Sequence, residues 1–86
     1  MNINELIAIV KKKLQSQINI ENIIIEDKSF LHKKHKGNQK GKYHLKISIT
    51  SDELKQMGRI KSDKKIYKIL EDEIKYHIHS LQILIH

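Results

Sequence analysis

No cysteine occurs anywhere in the 86-residue chain, which excludes a disulfide scaffold, a zinc ribbon, a thiol nucleophile and any cluster held by the chain's own thiolates. A bound metal would have to use imidazole or carboxylate. Proline and tryptophan are also absent, and one phenylalanine and three tyrosines make up the aromatic complement. Stacking platforms for bases or sugars are therefore scarce, which disfavours aromatic recognition. No run approaches the roughly 20 apolar residues that cross a bilayer, and the first residues lack the long apolar stretch of a secretory signal. A cytoplasmic protein that does not enter membranes is expected. Gly37, Gly41 and Gly58 fit neither a dinucleotide fingerprint nor a phosphate loop, and there is no Gly-x-x-Gly clamp. A chain of this length buries roughly 60% of its unfolded surface, enough for one compact core. One domain over residues 1–86 is expected.

What the chain does have is positive charge, a formal +7, unevenly spread. The segment from Lys28 to Lys42 holds six lysines and no acid, and everything outside it sums to +1. Such a segment attracts nucleic acid, an acidic protein or an anionic surface, or simply keeps a loop solvated.

Ile3, Leu6, Ile7, Val10 and Leu14 fall at helical spacing, and Asn2 followed by Glu5 resembles a capping box. These predict a helix over 3–14, with Lys11, Lys12 and Lys13 in its last turns, where cations complement the helix dipole. The β-branched run Ile23 to Ile25 predicts a strand over 22–26. Tyr43, Leu45, Ile47 and Ile49 alternate with His44, Lys46 and Ser48, the clearest strand pattern in the chain. Between these strands lies a long basic connection at about 28–42, a length that in small domains usually carries function. Residues 51–61 are polar, contain Gly58 and are compatible with a short helical turn. Ser62 is a candidate N-cap for a second helix ending near His77, whose apolar stripe comprises Ile66, Tyr67, Leu70, Ile74 and Ile78. Leu81, Ile83 and Ile85 alternate in a closing strand over 79–85. The order α-β-β-α-β, without repeats, predicts an α+β sandwich with helices on one face of a three-stranded sheet.

The acidic pairs Glu26-Asp27 and Asp52-Glu53 and the run Glu71-Asp72-Glu73 read as solvated charge rather than a general acid and base. Histidine is the unusual residue, with six in the chain, and it is the side chain best able to ligate a metal without thiolates. His32 and His35 fall in the basic segment. His44 should point away from the core, and His77 should be partly buried on the helical stripe. His79 stands at a helix–strand junction. Continued helical geometry would expose it, whereas alternation with Leu81 would turn it inward, so pattern leaves both orientations open. His86 is terminal and expected to be disordered.

Taken in order, several segments resemble the BolA family. Asp27-Lys28-Ser29-Phe30-Leu31-His32 is similar to its Asp-Glu-Ser-x-x-His segment, and Tyr43-His44-Leu45-Lys46-Ile47 to its Ser-His-Phe strand. Ser51-Asp52-Glu53-Leu54 resembles its Ser-Asp-x-Phe turn, Ile66-Tyr67 its Val-Tyr pair, and His79-Ser80-Leu81 its His-Ala-Leu signature. The chain departs from the family at Ser62-Asp63-Lys64, where the family has Arg-His-Arg, and in the length and charge of its basic loop.

The resemblance implies a class II KH-like fold and a [2Fe–2S] cluster shared with a monothiol glutaredoxin and glutathione. It assigns His79 and His32 as iron ligands, with His35 the alternative to His32. Histidine replaces cysteine on one iron of Rieske centres, so a chain without thiols could contribute imidazoles while the partner and glutathione supply sulfur. Lys33, Lys34, Lys36, Lys40 and Lys42 would then help dock the partner or, weakly, nucleic acid. On this reading the chain is no enzyme, holds no cofactor in isolation, and is a monomer or weak homodimer alone. The rival reading is a KH-like transcriptional regulator. The single arginine and the missing Gly-x-x-Gly clamp count against it, because arginine is the commonest reader of guanine.

Overall fold

The computed structural model describes residues 1–29 and 42–86. Helix α1 (Ile3–Gln17) opens on Asn2, whose side chain accepts the Glu5 N–H at 2.8 Å and donates to Glu5 Oε1 at 3.2 Å. The helix outruns its expected end at Leu14 because the apolar stripe Leu6, Val10, Leu14 continues to the buried Ile18, whose N–H caps the Leu14 carbonyl. Its last turn then carries no cation. Lys13 instead reaches across to Glu73 and donates to both carboxylate oxygens, at 2.9 and 2.8 Å.

Strands β1 (Asn22–Asp27), β2 (Tyr43–Thr50) and β3 (Ile78–Ile85) form one sheet in that order, with β2 central. The β1–β2 pair is antiparallel, from Asn22 opposite Thr50 to Asp27 opposite Leu45. The β2–β3 pair is parallel, which needs a crossover, and the helices between them supply it. Leu45, Ile47, Ile49 and Ile83 pack on Leu6, Val10 and Leu14 in one core. Ile24, of opposite parity, is 52% exposed on the other face. The α+β class, the three strands and their order stand as expected.

The crossover differs in detail from the single helix read in sequence. It comprises α2 (Asp52–Met57), α3 (Arg59–Ile69) and α4 (Glu71–Tyr76). Gly58 divides α2 from α3 at φ +83°, a conformation glycine adopts without strain. Ser62 is therefore not an N-cap. It is buried inside α3 and its hydroxyl donates to the Leu54 carbonyl at 2.6 Å, tying α3 to α2. Ser51 is the cap of this region: its Oγ accepts the Leu54 N–H and donates to the Asn19 carbonyl at 2.7 Å.

Ile66 and Leu70 carry the buried stripe, with Ile69 and Ile74 against it, whereas Tyr67 is exposed and Ile78 belongs to β3. Glu73 also corrects the reading of its acidic run as solvated. It is 7% exposed, and the Lys13 ammonium compensates its charge. Among the described residues no helix is long and apolar enough to cross a membrane.

Candidate functional site

The pairing of β2 with β3 begins irregularly. Tyr43 lies opposite Ile78 and His44 opposite Ser80, so His79 is an extra residue in β3. A bulge residue has no counterpart on the facing strand and shifts the inward–outward alternation by one place. Ile78 is therefore buried and Leu81 partly buried against the core, while His79 and Ser80 between them are exposed. The two orientations that pattern left open for His79 are decided by this bulge in favour of exposure.

His44 alternates with Leu45 and so leaves the helix-packed face, as expected, yet it is only 5% exposed. Its backbone N–H donates to Ser29 Oγ at 3.0 Å, and its Nδ1 lies 2.6 Å from Ser80 Oγ. The His44 and His79 rings stand 5.0 Å apart between centroids at an angle of 58°. Around them the end of β1 is pinned down. The Ser29 N–H donates to Asp27 Oδ1 at 2.9 Å and the Lys28 N–H to the His44 carbonyl at 2.7 Å. Asp27, Ser29, His44, His79 and Ser80 thus converge on one end of the sheet.

The remaining histidines lie elsewhere or outside the described residues. His77 caps α4, is partly exposed as expected, and its carbonyl accepts the Tyr43 N–H at 2.9 Å. His86 corrects the expectation of a disordered end: its N–H donates to the Ile49 carbonyl at 2.7 Å and its carbonyl accepts from Ser51 N–H. It is at the opposite end of the sheet from His79. His32, His35, Lys33, Lys34, Lys36 and Lys40 all lie outside the described residues. Lys42, the one described member of the expected lysine set, is partly exposed immediately before β2.

Reading residue by residue missed His44 as a neighbour of His79. The available signal was that each is the second residue of a strand, but seeing them together requires knowing that the two strands are parallel neighbours.

Among the described residues no cluster of three or more histidine, cysteine or carboxylate side chains could enclose an ion. His79 offers an exposed imidazole at a backbone position framed by α4 and β3. Thiolate ligands would have to come from elsewhere, because the chain has none. A second feature, a shallow cavity of about 250 Å³ lined by Leu54, Lys55, Gly58, Arg59 and Ile85, brings together no acid, base or nucleophile arrangement.

A family model described as BolA-like protein matches residues 14–86. The chain belongs to the BolA family. It is 28% identical over 75 residues to a protein of Haemophilus influenzae named DNA-binding transcriptional regulator BolA, with 87% of this chain and 70% of that protein covered. It is likewise 28% identical over 78 residues to the chloroplastic BolA1 protein of Arabidopsis thaliana, and spans about half (49%) of that relative's length. The solved structure of Arabidopsis thaliana BolA1 superposes with a TM-score of 0.77 at 24% identity, covering 93% of this chain and 88% of that one, a likeness of fold. In this BolA-family chain the segment that resembles the His-Ala-Leu signature is His79-Ser80-Leu81, and the bulge in β3 is what turns its histidine outward.

Proposed function

We propose that the chain is a non-enzymatic adaptor that shares a [2Fe–2S] cluster with a monothiol glutaredoxin and glutathione, in cluster trafficking or iron regulation. The observation that carries this reading is the exposed His79 imidazole on a backbone bulge, 5.0 Å from the ring of the buried His44. His79 would be the primary ligand, and His32 or His35 the second. The cluster, when shared, supplies the electron-transfer and iron–sulfur chemistry. This chain contributes the orientation of one imidazole and a docking surface that includes Lys42.

Reconstitution of the full chain with a monothiol glutaredoxin, glutathione, iron and sulfide tests the reading. A mixed complex should show the visible and paramagnetic signature of nitrogen ligation, absent from glutaredoxin alone. His79→Ala should abolish it. A signature and cluster lifetime unchanged by His79→Ala would overturn the assignment.

A second reading, a nucleic-acid-binding regulator, draws on the printed name of the Haemophilus relative and the basic balance. Lysine contacts to phosphate position a protein without reading bases, so binding of this kind would be weak, salt-sensitive and indifferent to sequence. Base discrimination that persists at physiological salt would favour this reading over the first.

A further inference from the structure

A residue on a bulge is poorly placed to act as a precise ligand unless something fixes it. The facing strand offers His79 no partner residue, since the ladder passes from Tyr43–Ile78 directly to His44–Ser80, and the side chain is exposed. Yet its ring has a neighbour with little freedom of its own. His44 is 5% exposed, and Ser80 Oγ holds its ring Nδ1 at 2.6 Å. The His44 main chain is anchored on both sides, its N–H to Ser29 Oγ and its carbonyl to Lys28 N–H.

From this geometry we infer that His44 is a positioning residue. The Ser80 hydroxyl pins the His44 ring, and that ring fixes the side-chain orientation of His79, so that Ser80, His44 and His79 work as a ligand and its two-part support. The inference rests on His79 being the ligand, as proposed above, and adds what orients it. Burial and engagement of Nδ1 make His44 a support rather than a second ligand. Partners that orient a metal-binding imidazole typically change metal affinity by about 10- to 100-fold when removed. Ser80 has an additional interest because it stands where the family signature has alanine, so the pin depends on a hydroxyl that the signature does not provide.

The experiment uses the full chain in two states. In the protein alone, NMR of the imidazole groups reports how many side-chain orientations His79 samples and whether its ring stays near that of His44. One orientation is expected in the wild type and in Ser80→Thr, which keeps the hydroxyl, with averaging over several in Ser80→Ala. His79 behaviour identical in wild type and Ser80→Ala would overturn the inference.

In the complex with glutaredoxin, Ser80→Ala should shorten the cluster lifetime about tenfold, Ser80→Thr should restore it, and the nitrogen-ligand signature should persist in both. If His44→Phe, folded by circular dichroism, erases that signature as His79→Ala does, then His44 is itself a ligand and the positioning role is wrong. The NMR measurement needs neither partner nor cluster, so the two readings fail separately. A cluster indifferent to His79→Ala refutes the adaptor, and a His79 ring indifferent to Ser80→Ala refutes the support.

Discussion

Strands β2 and β3 run parallel, so their first residues meet at one end of the sheet and their last residues at the other, roughly 25 Å away for strands of eight residues. At the far end, polar side chains are engaged in holding backbone, two of them buried serines. Ser51 joins α2 to the Asn19 carbonyl, Ser62 joins α3 to Leu54, and the Arg59 guanidinium donates to the Ile83 carbonyl at 2.6 Å. His86 ends the chain there within the same backbone network. At the near end a serine again meets a buried polar ring, but the result is different: Ser80 and His44 stand beside an imidazole that faces solvent. Similar residue types therefore close the structure at one end and present a donor at the other. The difference lies in the bulge, which removes His79 from the ladder.

If that contrast is right, substitutions at the far end should destabilise the protein and leave the histidines' chemistry intact. Ser62→Ala leaves the Leu54 carbonyl without its hydroxyl partner in a fully buried place. The expected loss is about 1–3 kcal/mol of stability, or about 4–8 °C in melting temperature per kcal/mol for a domain of this size. Ser51→Ala removes an N-cap and a second bond to Asn19 together, with an expected cost of about 1–2 kcal/mol. Urea unfolding checks both. Two variants as stable as the wild type would break the contrast, since the far-end serines would then not be what closes the structure.

The far end was also the harder one to read in the sequence. Local signals told truly where they were local: the Asn2–Glu5 cap, the stripe Leu6, Val10, Leu14 and the alternation from Tyr43 to Ile49 all correspond to observed elements. They misled where an interaction crossed the chain. Ser62 has the composition of an N-cap, but its partner is a carbonyl on another helix. Glu73 resembles its exposed neighbours Glu71 and Asp72, and only Lys13, 60 residues away, makes its burial tolerable. The site was legible in part for the same reason. The resemblance to the family signature at His79 is carried by a local string, whereas the contact with His44 exists only once two distant strands pair with a one-residue slip. A pattern with strict period two cannot encode that slip.

The near end should respond in the reverse sense. His79 is exposed and unpaired by the β ladder, so His79→Ala should change stability by no more than about 0.5 kcal/mol, as for other surface sites. The same variant is expected to lose cluster sharing entirely. Chemical denaturation beside cluster reconstitution, on one preparation, reads both quantities. A variant that melts early would mean that His79 supports the fold, and the separation of the two ends would be less complete than the hydrogen bonds suggest.

The smallest effect expected is electrostatic, and it sharpens the comparison because it acts at both ends. Near the far end, the Lys65 ammonium donates to Glu53 Oε2 at 3.1 Å and the Asn19 N–H to Oε1 at 3.4 Å, and these bonds hold the Glu53 carboxyl below the usual value of 4.5. Near the other end, Lys28 lies 3.0 Å from Glu26 and lowers that carboxyl in the same way. A carboxyl whose value is lowered on folding stabilises the native state above its unfolded value, and that stabilisation is lost as the pH falls through the lowered one. The difference in urea midpoint between wild type and Glu53→Gln should therefore be present at pH 7 and shrink on acidification below about 4.5. Both carboxyls are exposed to solvent, so added salt should reduce the difference at pH 7 as well. A difference that instead grew on acidification would mean that protonated Glu53 is the form the fold prefers, contrary to the hydrogen bonds from Lys65 and Asn19.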